Sequence, residues 1–415
     1  MTTALTPKRE LWLLLSLAGI QFTHIVDFMV MMPLGPQFTQ LFNITDAQFG
    51  LLVSAYTFAA GASGLLASLY IDRFGRKKLL LVLYVLFGLA TMACGLAPTY
   101  ESLMLARVAA GAFGGVLSAL SQTIVADVIP YERRGRANAI VMSSFSAATV
   151  AGVPLSLFLA AHWGWHMPFL AIAGACAVLA VIAWATMPVL TDHLRSERSS
   201  ALANIVQVVS DRNHLKAFAF SGLLMAAGFA VIPYITIYST VNGGLTTQQV
   251  PYIYLCGGAA TLLTARWVGR MTDKIGKQKM FTATAIATTV PMLLITQSAP
   301  LGLWGILAVS TLFFICMSGR MIPGMSIVVS AGNPKLRGTF MALNSSVQSA
   351  AMGVAAFVGG LVISRDAQGM VQNYGVNALL GVVITLVSLW LVGKLFLYGA
   401  PISAPVPAAA VLETK

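Results

Sequence analysis

Twelve apolar segments of about 20 residues follow one another along this chain, separated by short polar gaps. A helix of that length crosses the ~30 Å hydrocarbon core of a lipid bilayer. The segments are too long, and alternate too little, to be the strands of a membrane barrel. The pattern therefore predicts an all-α membrane protein with twelve transmembrane helices. The segments are residues 11–33, 47–71, 79–97, 102–129, 138–161, 167–187, 215–240, 248–271, 280–298, 302–330, 339–362 and 376–398.

Charged residues are scarce, at 9% of the 415 positions, whereas 58% of the positions are hydrophobic. Soluble domains carry about 25% charged residues, so the composition excludes a water-soluble fold. The net charge of +12 would indicate a nucleic-acid partner in a soluble protein, but here the basic residues gather in every second gap. The other gaps hold a single basic residue, Arg365. This positive-inside bias predicts cytoplasmic termini and a lipid bilayer, with no nucleic acid, as the surroundings.

A short charged phrase occurs twice, as DRFGRKK at residues 72–78 and as DKIGKQK at residues 273–279. A parallel repeat of six segments indicates two bundles related by a pseudo-two-fold axis along the membrane normal. The polar stretch between them favours a short interfacial helix at residues 201–209. We therefore predict an N-terminal six-helix bundle at residues 1–190, a cytoplasmic linker at 191–214, a C-terminal six-helix bundle at 215–398 and a disordered cytoplasmic tail at 399–415.

Asp27 is the only acidic residue that falls clearly inside a predicted span. Because an ionised carboxylate in a membrane costs roughly 2.5–3.5 kcal/mol on insertion scales, such an acid is a functional candidate, here for proton coupling. Arg107 in span 4 lies at a similar depth, about five residues from the outer end of its span against about six for Asp27. The alternatives are a static ion pair that holds helices together and an arginine that snorkels to the surface.

His24 precedes Asp27 by three positions and shares its helix face, so it is a candidate proton relay. The alternative for His24 is a hydrogen-bonded helix contact. Gln21 lies one turn further along the same side and is a candidate substrate contact. Arg320 lies deep in span 10 and needs an acid, carbonyl groups or an anionic substrate group as partner, in a substrate or a structural contact. Further candidates for an adaptable apolar substrate wall, or alternatively for bundle core, are Tyr234, Tyr238 and Met317.

The sequence contains no nucleotide-binding loop, metal-ligand cluster or Ser/His/Asp set. We therefore expect neither an enzyme nor a cofactor, and the energy for any transport comes from a proton gradient or from the substrate's own gradient.

The chain resembles the major facilitator superfamily over nearly its whole length. The first charged phrase is similar to the family's cytoplasmic motif Gly-x-x-x-Asp-Arg-x-Gly-Arg-Lys, with Ser68 in place of the Gly. The stretch 27–36, the Arg107-x-x-x-Gly111 pattern and the stretch 152–165 are most similar to twelve-span drug/proton antiporters and sugar-efflux permeases. The resemblance implies a central cavity lined by spans 1, 4, 7 and 10, and a proton-coupling role for Arg107.

The resemblance also gives the two charged turns a gating role, the alternative being that they only mark topology. It implies that Asp72 packs against the start of span 11 and that Arg76 pairs with Asp127. Gly75 and Gly276 predict tight reversals with positive φ. Pro154 predicts a kink in span 5. The gating candidates are Asp72, Arg73, Gly75, Arg76, Asp127, Gly269, Asp273, Gly276 and Pro154.

These observations predict a secondary active transporter that works by alternating access. The expected activity is proton-coupled efflux, an antiport, of a small lipophilic or sugar-like molecule. One alternative is a facilitator or proton symporter on the same fold, and the other is a membrane receptor or scaffold that moves no solute. We expect a monomer in the bacterial inner membrane, with a small-molecule substrate as its partner.

Overall fold

The computed structural model describes residues 7–71, 74–129, 133–188, 190 and 201–398. Almost all of these residues are helical, and each predicted segment corresponds to one long helix. The predicted all-α membrane fold is therefore confirmed. The long helices are α1 (Pro7–Val30), α2 (Asp46–Tyr70), α3 (Arg76–Gly95), α4 (Tyr100–Val128), α5 (Arg134–Ala147, the π turn Ala148–Gly152 and Val153–Trp163), α6 (His166–Thr186), α7 (Arg212–Phe229, the 3-10 turn Ile232–Tyr234 and Ile235–Val241), α8 (Val250–Ile275), α9 (Lys277–Ile295), α10 (Gly302–Ala331), α11 (Arg337–Val362) and α12 (Tyr374–Val392).

Ten of the helices in the described part of the chain are long and apolar enough to cross a membrane. The remaining two of the twelve, α8 and α9, have 26 and 19 residues. They reach membrane-spanning length but carry more polar residues, among them Lys277 and Lys279 at the start of α9. Large apolar side chains cover much of the outer surface; Leu263 and Trp304, for example, are 78% and 80% exposed. A surface of this kind is stable against lipid rather than water.

The packing within the first six helices recurs within the last six. In the first half α1 packs on α5 and α6, α4 packs on α2 and α3, and α3 also packs on α6. In the second half the same five pairings occur between helices whose numbers are higher by six. The repeat read from the two charged phrases therefore extends to the arrangement of the helices.

The two halves meet most extensively along α2 and α11. Small residues form this seam, which we call the α2–α11 seam. Ser54 Oγ donates a hydrogen bond of 2.7 Å to the carbonyl of Gly353. A Cβ atom added at Gly61 would lie 3.1 Å from the carbonyl oxygen of Ser346. The two backbones thus approach closely because side chains are small or absent at the contact, although Ser68 replaces the glycine of the family motif.

A two-stranded hairpin, Ser364–Arg365 with Val371–Gln372, connects α11 to α12. We call the end of the molecule that carries it the hairpin face, and the opposite end, where α1 begins, the termini face. At the hairpin face Asn242 exchanges two hydrogen bonds of 2.9 Å with the backbone of Val371. The hairpin is therefore fastened to the end of α7.

Two interruptions of the helices shape the molecule. In α5 the π turn Ala148–Gly152 ends two residues before Pro154, whose missing N–H interrupts the regular hydrogen-bond ladder. In α7 a break around Ala230 and the 3-10 turn Ile232–Tyr234 divides the helix into two parts. The sequence analysis missed the break in α7, for which Pro233 was the available signal.

The prediction for Gly75 was wrong, whereas that for Gly276 was correct. Gly75 has φ −60° and ψ 128°, an extended conformation open to any residue. Gly276 has φ 94°. It is at once the last cap of α8 and the first cap of α9, so a single residue reverses the chain. The gap before α3 is four residues longer than this one-residue turn.

Several predictions concern residues outside the described part of the chain. These are Asp72 and Arg73 of the first charged phrase, residues 191–200 of the linker and the tail at 399–415. The linker helix expected at residues 201–209 is present as Ala201–Ser210.

Candidate functional site

The structure brings Asp27 of α1 and Arg107 of α4 together. Arg107 Nη1 lies 2.9 Å from Asp27 Oδ2 and 3.4 Å from the backbone carbonyl of the same residue. Both residues have an exposed fraction of 0%. Removing one partner of such a buried pair leaves an uncompensated charge and costs about 3–5 kcal/mol, so the two charges depend on each other.

Tyr56 of α2 completes the surroundings of the ion pair. The guanidinium carbon of Arg107 lies 4.3 Å from the centroid of the Tyr56 ring, within the range of a cation–π interaction. The sequence analysis missed Tyr56, because one aromatic residue in an apolar segment gives no local signal. Its position follows only from the packing of α2 on α4.

His24 lies on the same side of α1, 6.1 Å from the Tyr56 ring, measured between ring centroids. Space for both rings is provided by Gly114 of α4. A Cβ atom at Gly114 would lie 2.6 Å from His24 Cδ2 and 2.8 Å from the Tyr56 hydroxyl. Gln21 lies further along α1 and donates a hydrogen bond of 3.3 Å to Ser118 of α4. The predicted polar face of α1 therefore meets α4 over about two turns.

Several buried polar atoms of this cluster have no hydrogen-bond partner within the described residues. Fully paired polar groups are the rule inside proteins, and each exception calls for an explanation. A site that receives and releases a proton needs free lone pairs and donors, so the pattern fits such a role. The atoms are Gln21 Oε1, both His24 ring nitrogens, Asp27 Oδ1, Tyr56 Oη and Arg107 Nε.

Arg320 lies apart from this cluster, in the second half. It is fully buried and donates hydrogen bonds of 2.9 Å to Thr385 Oγ1 and 3.0 Å to the carbonyl of Leu224. Of the three partner types considered for it, the structure therefore supplies a carbonyl, together with a hydroxyl. Among the described residues no carboxylate forms a salt bridge with Arg320. Met317 lies one turn away, next to Gly228 of α7.

Tyr234 and Tyr238 lie towards the hairpin face. The Tyr234 hydroxyl donates to the carbonyl of Ala356 in the α2–α11 seam, and the side chain is fully buried. The ring of Tyr238 packs on Tyr374, with 5.1 Å between centroids. In this conformation both tyrosines belong to contacts between helices. The structure therefore separates them from Gln21 and Arg320, with which the sequence analysis grouped them.

Gln348 of α11 is a polar residue in the second half that the sequence analysis missed. Its side-chain nitrogen lies 2.7 Å from Ser221 Oγ and 3.3 Å from Met325 Sδ. Gln348 of α11 therefore contacts α7 and α10 through two uncharged side chains, those of Ser221 and Met325. The available signal was an amide in an apolar segment, which also contains Asn344.

The gating candidates behave differently in the two copies of the charged phrase. Arg76 Nε lies 2.9 Å from Asp127 Oδ2, as the resemblance implies. At the matching place Lys277 donates a hydrogen bond of 2.6 Å to Ser330 Oγ. A basic side chain thus joins the third and fourth helices in each half. Its acceptor is a carboxylate in the first half and a hydroxyl in the second.

Two other candidates of the second copy make no close contact. Asp273 is exposed and takes part in no described salt bridge. A Cβ atom at Gly269 would meet no atom within 4 Å, so close packing is no reason for a glycine at this position.

The hairpin face carries an ion pair between the two halves. Arg365 Nε and Nη2 lie 2.8 and 2.9 Å from the two carboxylate oxygens of Asp46, the first residue of α2. The hydrogen bonds to Asp46 raise the pKa of Arg365. The neighbouring Asp366 accepts the backbone N–H of Met370, which lowers the pKa of its carboxyl. In this conformation the pair of Arg365 and Asp46 therefore joins the two halves at the hairpin face.

Comparison with known proteins agrees with the fold. The sequence profile of the Major Facilitator Superfamily matches residues 17–356. The uncharacterized MFS-type transporter YtbD of Bacillus subtilis (strain 168) is 22% identical over 388 residues, which is 92% of this chain and 96% of that protein.

Solved structures show the same fold at low sequence identity. The D-xylose-proton symporter superposes with a TM-score of 0.75 at 17% identity, over 92% of this chain and 97% of that one. A mutant form of the nucleoside transporter NupG gives 0.74 at 13%, over 94% and 100%. A bacterial homolog of the human lysosomal transporter Spinster, inward-facing and occupied, gives 0.71 at 15%, over 94% and 98%. The profile spans most of the chain, and the chain belongs to the major facilitator superfamily of membrane transporters.

Proposed function

We propose that this protein is a proton-coupled antiporter that exports a small lipophilic or sugar-like molecule. The observation that carries the proposal is the fully buried pair of Asp27 and Arg107, with His24 and Tyr56 beside it. A membrane protein that only forms a scaffold gains nothing from unpaired polar atoms beside a buried carboxylate. The carboxylate of Asp27 either pairs with Arg107 or binds a proton instead. The site therefore has two charge states, and each state favours one conformation of the transporter.

Alternating access assigns a step to each part of the molecule. We propose that residues 1–190 and 215–398 rock against each other and that the termini face is cytoplasmic. The joined hairpin face corresponds to the state open to the cytoplasm, in which Asp27 is ionised and held by Arg107. Opening the hairpin face lets Asp27 take up a proton and release Arg107. The return step carries that proton inward, and the substrate leaves in the opposite direction.

Side chains on the two halves support the proposed class of substrate. Besides Gln21 and Gln348, α10 carries three methionines at successive turns, Met317, Met321 and Met325, and methionine adapts to ligands of different shape. Met321 and Met325 of α10 are half-buried. A few uncharged polar groups among adaptable apolar ones suit a lipophilic or sugar-like molecule.

The test uses purified protein in proteoliposomes with an imposed pH gradient. Asp27→Asn preserves the shape of the side chain and removes its proton. We expect the variant to lose gradient-driven accumulation across a panel of candidate compounds, while substrate-for-substrate exchange, which moves no net proton, continues. Wild-type protein without a pH gradient is the matched control.

The alternatives give different results in the same assay. A facilitator on this fold loses little transport in Asp27→Asn, and a symporter moves solute and protons in the same direction. A scaffold or receptor transports none of the compounds in any condition. Full gradient-driven transport by a well-folded Asp27→Asn protein contradicts the proposal.

A further inference from the structure

An aromatic stack leads from the ion pair to the other half of the molecule. The ring of Tyr56, which lies against Arg107, stacks on Phe28 of α1 with 5.3 Å between centroids and 26° between planes. Phe28 in turn stacks on Phe229 of α7, at 5.9 Å and 19°. Phe229 belongs to the second half, so the row Arg107–Tyr56–Phe28–Phe229 crosses from one half to the other. We call this row the aromatic stack.

Each aromatic residue of the stack lies at a position that a relative movement of the two halves displaces. Phe28 directly follows Asp27 in α1. Phe229 is the last residue of α7 before its break. Tyr56 lies between Ser54, which bonds to Gly353 across the α2–α11 seam, and Thr57, whose hydroxyl is 2.7 Å from a Cβ atom built at Gly353. Separation of the halves therefore displaces both Phe229 and Tyr56.

We propose that Phe28 and Phe229 are positioning residues that hold Arg107 against Asp27 while the two halves are joined at the hairpin face. When the halves separate, Phe229 leaves the stack, Tyr56 loses its support, and Arg107 is released from its place over the ring. The proposal rests on the proposed function, since it concerns the same ion pair. It explains how rocking of the halves reaches a site that lies wholly within the first half.

The direction of the pH effect follows from the charges. Without the stack Arg107 is held less firmly, and a carboxylate with a weaker cationic partner keeps its proton at higher pH. Loss of the stack also weakens the joined state, in which Asp27 is ionised. Both effects move the pH midpoint of opening upward. The titratable and charged groups that face Asp27 are Arg107 of α4, His24 of α1, Tyr56 of α2, Cys94 of α3 and Cys176 of α6.

The experiment follows opening of the hairpin face as a function of pH, without a substrate. Spin labels replace Glu101 and Gln368, two exposed residues on opposite halves, in protein whose Cys256 and Cys316 are changed to Ala. Pulsed EPR distances in liposomes give the fraction of open molecules at each pH. We expect Phe229→Leu and Phe28→Leu to move the midpoint upward by about half to one pH unit.

Two variants separate the role of the rings from general packing. Phe229→Tyr retains a ring and is expected to keep the wild-type midpoint. Phe340→Leu removes one ring of the pair Phe218–Phe340, which stacks at 5.0 Å between α7 and α11, away from Asp27. It is expected to lower thermal stability without moving the midpoint. A wild-type midpoint in either Phe229→Leu or Phe28→Leu, or an equal shift in Phe340→Leu, overturns the inference.

Asp27→Asn in the same assay distinguishes the inference from the proposed function. The proposed function requires that opening of this variant no longer depends on pH. If its midpoint persists, the proposed function fails, and the inference fails with it. If Asp27→Asn is independent of pH while Phe229→Leu behaves as wild type, only the inference fails.

Discussion

Two arginines are fully buried among the described residues, and their electrostatic surroundings differ. Arg107 faces the carboxylate of Asp27 at 2.9 Å, whereas Arg320 is held by a hydroxyl and a backbone carbonyl. A buried charge that lacks an opposite charge costs several kcal/mol of desolvation. Neutral hydrogen-bond acceptors offset only part of that cost. We therefore expect Arg320 to serve transport rather than stability.

Methionine in place of each arginine separates these two cases. Arg107→Met leaves the buried Asp27 carboxylate without its cationic partner. We therefore expect it to lower the free energy of unfolding by about 3–5 kcal/mol. Arg320→Met removes an uncompensated charge at similar side-chain length, so we expect thermal stability near that of the wild type and loss of transport. Thermal unfolding in detergent, with transport assayed on the same preparations, checks both. Equal destabilisation by the two variants would assign Arg320 a purely structural role.

At the scale of helices, the α2–α11 seam depends on small residues. Gly50 of α2 lies under the Tyr234 hydroxyl, and a Cβ atom there would be 2.8 Å from the carbonyl oxygen of Ala356. The seam therefore closes only when no side chain intervenes. The same Tyr234 also bonds to Ala356, so the break in α7 and the seam form one contact.

A side chain at Gly50 is expected to hold the hairpin face open. Gly50→Val overpacks the seam, at a cost of about 1–3 kcal/mol in the joined state. We expect slower transport and faster labelling of single cysteines near the hairpin face. The matched control is Gly174→Val in α6, where a Cβ atom meets nothing within 4 Å. Equal labelling rates in the two variants would show that the seam tolerates a side chain.

At the scale of the whole molecule, two halves with the same helix pairings differ in their chemistry. In the first half the ends of α3 and α4 are joined by the salt bridge Arg76–Asp127, and in the second half α9 and α10 are joined by a lysine–hydroxyl bond. The buried carboxylate also occurs only in the first half among the described spans. The helix packing is thus symmetric, whereas among the described residues the proposed proton site and the Arg76–Asp127 salt bridge occur in the first half only.

The orientation of the molecule is tested by labelling in intact cells. The Lys/Arg bias predicts that the hairpin face is outside and the start of α7 inside. A cysteine at Gln368 is expected to react with a membrane-impermeant maleimide, and one at Arg212 only after permeabilisation. Both positions are exposed, so access depends on the side of the membrane alone. Reaction of both positions from the same side would contradict the twelve-span topology.

Local patterns were sufficient to predict the fold class and the helices. The apolar segments located all twelve long helices because a chain in lipid must satisfy its backbone hydrogen bonds internally. The repeated phrase indicated the two halves. Asp27 and Arg107 were paired in advance because both lie at similar depth in apolar segments. The roles of these two residues stay predictions.

The composition and spacing of the chain by themselves determined that it is a two-part helical membrane protein with a charge buried in α1. The tertiary structure alone decided which residues surround that charge. Tyr56, Phe28 and Phe229 are far apart in the sequence and meet only when α1, α2 and α7 pack. It also decided the conformation of Gly75, which is extended although the matching Gly276 has a positive φ. Side-chain contacts between distant helices depend on their rotation and spacing, which hydrophobicity along one segment does not encode.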